Sequence, residues 1–259
     1  MEQHNFKKKF GQNFLKDENI IKKIISTSTV EKNSLIIEIG PGSGMLTKEL
    51  DKVSKVLAYE IDTDLEERLK QLNLKNTTII FEDFLKRDIK EDLKKYSYKK
   101  LYIIANLPYY ITTPILTKLI EEKIDIDKIV IMVQKEVGDR FTSLPKTKDY
   151  GSITVFLNYY FDIKKEFIVS RNCFIPSPNV DSIIISLTKK KSRTIAQNEE
   201  NFFKLIRDSF QFKRKTIKNN LKAYDLTKVE QILNKHNLTL TTRAEEIPLD
   251  IFIDISNNL

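Results

Sequence analysis

A short apolar run followed at once by three closely spaced glycines constrains this chain more than any other feature. Residues 35–39 predict a buried strand, Gly40-Pro41-Gly42-Ser43-Gly44 predicts a tight turn, and a helix begins near Met45. A strand, a glycine turn and a helix in this order open the nucleotide-binding half of a doubly wound α/β fold. A turn that only lets the helix pack closely would look the same, so this motif alone does not establish a ligand.

The spacing of the glycines narrows the kind of nucleotide. The dinucleotide fingerprint G-x-G-x-x-G requires a glycine at position 45, where this chain has Met45. The tighter G-x-G-x-G form, with Glu38 before it on the strand, instead fits S-adenosylmethionine, which has no pyrophosphate to place at the helix. Gly40 and Gly42 are therefore candidate cofactor contacts.

Two acidic residues follow the next two predicted strands. Glu60 ends the strand at residues 55–59 and lies 20 positions beyond Gly40, where an acidic residue typically accepts from both ribose hydroxyls. Asp83 follows the strand at residues 78–81 and could accept from the cofactor's adenine amine while Phe84 packs on the ring. An ordinary acidic loop is the competing interpretation for Asp83.

The stretch Asn106-Leu107-Pro108-Tyr109 follows a fourth apolar run at residues 101–105. Because proline cannot donate to a ladder, the strand ends here and displays its polar groups at the carboxyl end, where α/β sheets bind ligands. The Asn106 amide oxygen and the carbonyl of Leu107 or Pro108 can accept both hydrogens of an exocyclic amine while Tyr109 stacks on the base. The alternative is a strand-ending turn with a surface tyrosine.

The order of the predicted elements gives the fold class. The predicted strands are residues 35–39, 55–59, 78–81, 101–105, 128–133, 151–160, 166–170 and 183–187. The predicted helices are residues 18–26 (capped by Asp17), 63–72, 112–123, 134–143, 199–212, 215–223, 229–236 and 249–257, with one more from residue 45. This pattern predicts an α/β Rossmann-like domain with a mostly parallel sheet and antiparallel strands at one edge, followed by a small all-helical domain.

Charge is concentrated in the carboxyl-terminal part. The chain of 259 residues has 44 Lys and Arg against 36 Asp and Glu, and residues 189–222 alone hold 11 against 3, a net charge of +8 that equals the whole chain's excess. The cluster of Lys213, Arg214, Lys215 and Lys218 predicts a surface that contacts phosphates, although a solvated face is the usual fate of such charges. We therefore predict that the α/β Rossmann-like domain comprises residues 1–188 and that a helical RNA-binding domain comprises residues 189–259.

Composition argues against several other classes. One cysteine excludes an internal disulfide framework, and two histidines with one cysteine argue against a zinc site, so no metal is expected. No apolar run approaches the ~20 residues of a membrane span, and the amino terminus has no apolar signal core, which predicts a cytoplasmic protein. Lys7-Lys8-Lys9 could be a basic arm on nucleic acid or a solvated terminus, and charge alone favours the terminus.

Two further side chains are candidates for contact with a nucleic acid. Phe174 comes just before Pro176 and Pro178, which stiffen the loop, so its ring is suited to the second face of a bound base or to anchoring the loop. Arg140 lies on the predicted helix at residues 134–143 and is a candidate RNA contact.

The chain resembles the ribosomal RNA adenine dimethyltransferases, in particular the KsgA-like branch that acts on the small subunit. The resemblance runs nearly end to end and rests on six motifs in family order. They are Phe10-Gly11-Gln12-Asn13-Phe14-Leu15, Glu38-Ile39-Gly40-Pro41-Gly42-Ser43-Gly44, Asn106-Leu107-Pro108-Tyr109, Gln134-Lys135-Glu136-Val137, Phe174-Ile175-Pro176-Ser177-Pro178-Asn179-Val180-Asp181-Ser182 and Arg214-Lys215-Thr216.

The resemblance implies a Rossmann-like S-adenosylmethionine-dependent methyltransferase that leaves S-adenosylhomocysteine as product and uses no metal. It implies that a monomer methylates two adjacent adenines of small-subunit RNA within a pre-assembled subunit. The residues that it places against the cofactor are Asn13, Leu15, Gly40, Glu60, Asp83 and Asn106, and those that it places against the target adenine are Asn106-Leu107-Pro108-Tyr109 and Phe174. Tyr110 departs from the family, which usually has a second Asn there.

Two alternatives stay open. An enzyme of the erythromycin-resistance type does the same chemistry on large-subunit RNA, and the basic segment around Phe212-Lys213-Arg214-Lys215-Thr216 favours the small-subunit branch instead. A non-catalytic ribosome-assembly factor could retain the fold, but it would have no need for Glu60, Asp83 and Asn106.

Overall fold

The computed structural model describes residues 13–259. The predicted arm Lys7-Lys8-Lys9 and the first three residues of the motif that begins at Phe10 lie outside this part of the chain. The strands are β1 (Phe14–Leu15), β2 (Ser34–Ile39), β3 (Lys55–Tyr59), β4 (Thr77–Ile80), β5 (Lys100–Asn106), β6 (Lys128–Gln134), β7 (Phe161–Val169), β8 (Phe174–Ile175) and β9 (Ser182–Lys189).

Helices and strands alternate in the first part of the chain, and the last four helices follow one another with no strand between them. They are α1 (Glu18–Ser28), α2 (Met45–Leu50), α3 (Glu66–Lys70), α4 (Ile89–Leu93), α5 (Thr112–Glu121), α6 (Lys135–Phe141), α7 (Ser152–Tyr160), α8 (Glu199–Ser209), α9 (Ile217–Asn220), α10 (Leu226–Lys235) and α11 (Leu249–Asn258). Within residues 13–259, none of these helices has the length and hydropathy of a membrane span.

Seven strands form one sheet in the order β4-β3-β2-β5-β6-β9-β7. The pairs β2–β3, β2–β5, β3–β4 and β5–β6 are parallel, whereas β9 runs antiparallel to β6. Every residue of β2 is buried, as expected for a central parallel strand that is covered on both faces. The prediction of a mostly parallel sheet with an antiparallel strand towards one edge is confirmed.

The chain divides into two compact units. The sheet unit comprises the described residues up to Gly138 together with Lys164–Lys189, and the helical unit comprises Asp139–Ile163 and Lys190–Leu259. The predicted boundary near residue 189 matches one of these divisions, but residues 139–163 group with the carboxyl-terminal helices and not with the sheet. The RNA-binding role predicted for the helical part stays a prediction.

The segment that was predicted as a strand at residues 151–160 is the helix α7. An apolar run of this length does not separate a buried strand from a helix that is buried on most sides, and the structure buries six of the nine residues. The Gly151 N–H donates to the Thr154 hydroxyl at 3.4 Å at the start of the helix. Within the helical unit, Phe156 meets Phe203 of α8 edge-on with ring centroids 5.2 Å apart, so tertiary packing decides the outcome.

Other elements differ in length from the predictions. Residues 63–72 form a 3₁₀ turn followed by the short α3, and residues 215–223 contribute only the four residues of α9. The predicted cap at Asp17 is confirmed, because its carboxylate accepts from the backbone N–H groups of Asn19 and Ile20. The pairing of β1 with β8 was not predicted, since strands of two residues carry no periodicity.

Candidate active site

Most of the predicted cofactor-binding and adenine-binding residues line one cleft at the carboxyl ends of β2, β3 and β5. Its empty space is about 990 Å³ with the open mouth included. The predicted residues that line it are Asn13, Leu15, Gly40, Gly42, Glu60, Asp83, Asn106, Leu107, Pro108 and Tyr109. They come together because parallel strands end at the same edge of the sheet.

The glycine turn forms one wall of the cleft and needs its glycines. Gly40, Gly42 and Gly44 have φ values of 74°, 56° and 78°, in the left-handed region that other residues rarely adopt. A Cβ atom on Gly42 would lie 3.0 Å from the Phe14 ring, and one on Gly44 would lie 2.3 Å from a methyl group of Leu72. The turn therefore presents bare backbone to the cleft.

Glu60 is held at the floor of the cleft by the backbone. One carboxylate oxygen accepts from the Gly42 N–H at 3.0 Å and the other accepts from the Asp62 N–H at 2.9 Å. The side chain is 4% exposed, and this burial raises its pKa above the ordinary value while the two backbone bonds oppose the rise. Each oxygen keeps capacity for one further donor, which suits a pair of ribose hydroxyls.

Asp83 lies on a loop that an ion pair stabilises. One of its oxygens accepts from the Leu85 N–H at 3.0 Å, and no donor within residues 13–259 contacts the other. Nearby, Arg87 binds Asp92 in a bidentate manner at 2.6 and 2.8 Å and also contacts Glu82 at 3.1 Å. The Glu82-Asp83-Phe84 segment is thus held at the cleft with one carboxylate oxygen of Asp83 available to a ligand.

Asn106 is oriented by a residue from the other end of the chain. Its Nδ2 atom donates to the Asn13 carbonyl at 3.2 Å, so its Oδ1 atom is the one left to accept a hydrogen bond. Asn106 is the last residue of β5, and Leu107 donates its N–H to the Met132 carbonyl at 3.3 Å, which fixes the backbone just beyond the strand.

The Tyr109 ring is fixed at its hydroxyl end. The Tyr109 and Ser182 hydroxyl oxygens lie 2.8 Å apart, and burial raises the Tyr109 pKa above its ordinary value. Tyr110 also lines the cleft but is 54% exposed. The residue that departs from the family pattern therefore belongs to the lining of the cleft.

Phe174 does not line the cleft. Its ring is 2% exposed and belongs to the apolar core, where β8 pairs with β1 and sets Phe174 opposite Leu15. A base could stack on this ring only after a local movement of β8. The role predicted for Phe174 stays a prediction, and the structure as it stands offers Tyr109 for stacking.

Glu38 lines the cleft from β2 and is 1% exposed. Burial raises its pKa to about 8, and the charge of Glu60 adds to the rise. Its Oε2 atom has no hydrogen-bond partner within residues 13–259. Glu38 is therefore mostly protonated at neutral pH, so the cleft holds one ionised and one neutral carboxyl group when Glu60 is charged.

The predicted RNA contacts belong to the helical unit and are separate from the cleft residues in the chain. Lys213, Arg214, Lys215 and Lys218 are exposed, and Lys213 donates to the Lys148 carbonyl at 2.8 Å. Arg140 lies in the last turn of α6, where its guanidinium contacts the Phe141 ring at 5.6 Å.

The site fits S-adenosylmethionine. The glycine turn leaves room for a ligand beside the backbone, the Glu60 carboxylate is buried where a diol can reach it, and Asp83 offers a free acceptor beside the Phe84 ring. In the described part of the chain, no cluster of three or more His, Cys, Asp or Glu could hold a metal ion. The sheet order and this cleft define a Rossmann-like S-adenosylmethionine-dependent methyltransferase.

Comparison with known proteins narrows the class to one family. The chain belongs to the ribosomal RNA adenine dimethylase family, whose model matches residues 3–259. A ribosomal RNA small subunit methyltransferase A of Lactococcus lactis is 42% identical over 267 residues, which cover 98% of this chain and 90% of the relative. A protein of the same name from Clostridioides difficile is also 42% identical, over 99% of this chain and 92% of the relative.

Solved structures share the fold over nearly the whole chain. A dimethyladenosine transferase from Plasmodium falciparum has a TM-score of 0.77 and 25% identity, covering 93% of this chain and 95% of that chain. The 23S rRNA methyltransferase ErmE has a TM-score of 0.72 and 25% identity, covering 95% and 99%. Backbone likeness alone therefore does not separate the small-subunit branch from the large-subunit branch.

Sequence reasoning missed several residues that shape the site. Ser182 was part of a family motif, but no spacing in the sequence connects it with the Tyr109 hydroxyl, 73 positions away. The Arg87–Asp92 pair gave no signal beyond ordinary charge alternation. The protonated state of Glu38 depends on complete burial, which a sequence does not report directly.

Proposed function

We propose that this protein transfers methyl groups from S-adenosylmethionine to the exocyclic amine of two adjacent adenines, in a hairpin loop near the 3′ end of small-subunit ribosomal RNA. The product is N6,N6-dimethyladenosine, and the reaction contributes to small-subunit maturation. The observation that carries the proposal is the Asn106 amide, which is oriented by its bond to the Asn13 carbonyl and lines the same cleft as Glu60 and Asp83. The 42% identity with small-subunit methyltransferases supports this branch.

The second acceptor for the adenine amine is the Leu107 carbonyl. The Pro108 carbonyl already accepts from the Ile111 N–H and the Thr112 hydroxyl, both at 3.2 Å, so both of its lone pairs are engaged. No donor from residues 13–259 reaches the Leu107 carbonyl. Of the two carbonyls that the sequence left open, Leu107 is the one able to receive an amine hydrogen.

These acceptors address the chemical difficulty of the reaction. The adenine amine is a poor nucleophile because its lone pair is delocalised into the ring. Accepting its two hydrogens at Asn106 and Leu107 favours a pyramidal nitrogen and stabilises the positive charge that grows on it. S-adenosylmethionine would supply the methyl group from its sulfonium sulfur, and the carbon–sulfur bond would break to leave the neutral thioether, S-adenosylhomocysteine. The amine nitrogen forms the new bond to carbon and then releases a proton to solvent.

The target adenine leaves its stack before it can enter the cleft. Tyr109 replaces part of the lost stacking, and its bond to Ser182 holds the ring in place before the base arrives. The cofactor would be held by the backbone at Gly40 and Gly42, by Glu60 at its ribose and by Asp83 at its adenine. The predicted monomeric state, cytoplasmic location and use of an assembled subunit belong to this proposal.

The decisive experiment is methyl transfer from labelled S-adenosylmethionine to three substrates, with modified nucleosides identified by mass spectrometry. The substrates are unmethylated small subunits, naked small-subunit RNA and naked large-subunit RNA. Dimethyladenosine on the small-subunit substrates alone supports the proposal. Product on large-subunit RNA would move the protein to the erythromycin-resistance branch, and RNA binding without any product would favour an assembly factor.

The role of Asn106 is tested with Asn106→Ala and a matched control. Asn106→Ala should lower the transfer rate by a factor of about 100 or more, because the hydrogen bond that stabilises the developing charge is removed. Affinity for RNA should stay within about twofold of the original protein, since the phosphate contacts dominate binding. Asn19→Ala removes an exposed asparagine from α1 and should change neither quantity. Activity of Asn106→Ala within tenfold of the original would refute the assignment.

A further inference from the structure

Phe212 is an exposed aromatic ring that neither the core nor the cleft uses. Among the aromatic side chains of residues 13–259, only Tyr110 and Phe212 are exposed over more than half of their surface, at 54% and 55%. Tyr110 lines the cleft and Phe212 does not. A single exposed apolar side chain is ordinary on a protein surface, so exposure alone assigns no role.

The backbone that carries this ring is held firmly by one side chain. Asn220 of α9 accepts from the Phe212 N–H at 3.2 Å and donates to the Ser209 carbonyl at 2.7 Å. The Phe212 carbonyl accepts from the Lys215 N–H at 2.9 Å, which closes a turn after α8. The exposed ring is therefore attached to an ordered turn, and little conformational entropy would be lost when a ligand packs on it.

The aromatic contacts beside this turn are made by Phe210 and not by Phe212. Phe210, two positions earlier, packs against Tyr150 and Phe252 with ring centroids 6.2 and 5.9 Å away. Phe212 makes no ring–ring or cation–ring contact within the described part of the chain. More than half of the Phe212 surface stays exposed, so much of the hydrophobic stabilisation that full burial of this ring would supply is left unused.

The charges beside Phe212 indicate what the ring is suited to bind. Lys213, Arg214 and Lys215 follow it directly and are exposed. The contact of Lys213 with the Lys148 carbonyl brings a further exposed lysine to the same surface. Within residues 13–259, neither Arg214 nor Lys215 forms an ion pair with a carboxylate, so their charges stay available to an anion.

We propose that Phe212 is a stacking platform for an unpaired base of the RNA, while Lys213, Arg214 and Lys215 contact the phosphates on either side. The proposal rests on the RNA substrate of the proposed function and adds a preference for single-stranded RNA at this surface. Aromatic rings stack on bases of any sequence, and a basic groove that follows the backbone with such a ring is the usual way of binding unpaired strands. A continuous duplex hides the faces of its bases and gains nothing from the ring.

The test compares two RNAs of equal length and charge, a hairpin with an unpaired loop and a blunt duplex. Fluorescence anisotropy measures the affinity of the full chain and of Phe212→Leu for each RNA at one salt concentration. We expect Phe212→Leu to bind the hairpin about 5- to 30-fold more weakly, because stacking on one base is lost. Its affinity for the duplex and the slope of affinity against salt should not change, since no charge is removed.

Two further variants separate stacking from a structural effect. Phe212→Tyr keeps an aromatic face and should restore hairpin affinity to within about twofold of the original. Val53→Ala, which shortens a 42% exposed apolar side chain of the sheet unit, should bind both RNAs like the original protein. Melting temperatures of all variants should agree, because Phe212 contributes little to the core.

Three outcomes would overturn the inference. They are unchanged hairpin affinity for Phe212→Leu, an equal loss on hairpin and duplex, or a failure of Phe212→Tyr to restore binding. Methyl transfer by the original protein is measured alongside. If no ribosomal substrate is methylated, the proposed function fails, and the comparison of hairpin with duplex still decides the stacking role by itself.

Discussion

At the scale of single residues, the Glu38 carboxyl depends most on its surroundings. Its pKa of about 8 in the folded protein lies above the ordinary value of 4.5. Between these pH values the folded protein keeps a proton that the unfolded chain has lost, so stability falls as pH rises through this window. Below this pH range Glu38 is protonated in both the folded and the unfolded state. Above it Glu38 is ionised in both states, so the loss of stability stays constant.

Glu38→Gln should remove this pH-dependent penalty, because an amide of the same shape cannot ionise. We expect the variant to gain about 2–4 kcal/mol over the original protein between pH 5 and pH 8, and to gain no more above that range. Urea unfolding of the ligand-free protein at several pH values measures the difference. Asn19→Ala, at an exposed uncharged position on α1, should give a difference that is flat with pH. A flat difference for Glu38→Gln would show that Glu38 is ionised in the folded protein.

The glycine turn gives a second prediction at this scale. Gly44→Ala should destabilise the protein by about 2–4 kcal/mol, since the new methyl group would meet Leu72 and the φ of +78° disfavours any side chain. Gly151→Ala is the matched control, because a Cβ atom there meets nothing within 4 Å and φ is extended at −155°. Chemical denaturation measures both. Similar losses for the two variants would contradict the steric account.

At the scale of elements, an ion pair between the partly exposed Arg87 and the buried Asp92 stabilises the connection between β4 and α4. Asp92 is 1% exposed and interacts with Arg87, with Lys95 at 3.1 Å and with the Tyr59 hydroxyl at 3.2 Å. The Arg87 guanidinium holds the pKa of Asp92 below its ordinary value of 3.8. This pair therefore contributes stability above that pH, and the contribution is lost as pH falls through the lower folded pKa.

Arg87→Ala should lower the melting temperature by several degrees at pH 7, because it leaves the buried Asp92 charge poorly compensated. The loss should shrink as the pH is lowered, because Asp92 without its Arg87 partner takes up a proton at a higher pH in the folded variant than in the folded original protein. The double variant Arg87→Ala/Asp92→Asn should recover much of the loss at pH 7. Scanning calorimetry across this pH range checks each point, and no recovery in the double variant would place the effect elsewhere.

At the scale of the whole molecule, the excess of positive charge is concentrated in one segment of the chain. The excess of +8 equals the net charge of residues 189–222, and the exposed cluster of Lys213, Arg214 and Lys215 lies in that segment of the helical unit. The cofactor cleft lies entirely in the sheet unit. Under the proposed function, we therefore expect that binding of RNA and binding of the cofactor can be weakened separately.

Neutralising Lys213, Arg214 and Lys215 together should weaken RNA binding and reduce the salt slope by about 2–3, near 0.9 for each phosphate that is no longer neutralised. Affinity for S-adenosylmethionine, measured by calorimetry, should not change. Neutralising the exposed Lys32, Lys48 and Lys55 of the sheet unit removes the same charge and is the control. If both triple variants lose RNA affinity equally, total charge and not this cluster governs binding.

Much of the fold could be predicted from the sequence because buried parallel strands consist of short, continuous runs of apolar residues. Such runs marked β2, β3, β5 and β6, and the glycine spacing with Glu60 and Asp83 indicated the kind of cofactor. All of the residues predicted to bind the cofactor line one cleft, since parallel strands bring their carboxyl ends to the same edge. The family resemblance pointed to the same residues.

Several features of the fold and of the site depend on contacts between distant segments, and only the tertiary structure determined them. Packing on α8 makes residues 152–160 a helix, although their apolar run fits a strand equally well. Pairing of β1 with β8 buries Phe174, and the Ser182 hydroxyl fixes Tyr109. Thr112 and Ile111 occupy the Pro108 carbonyl, which leaves the Leu107 carbonyl as the available acceptor of the two. Each of these results depends on residues that are far apart in the sequence and come into contact only when the chain folds. Local sequence patterns therefore cannot predict these contacts.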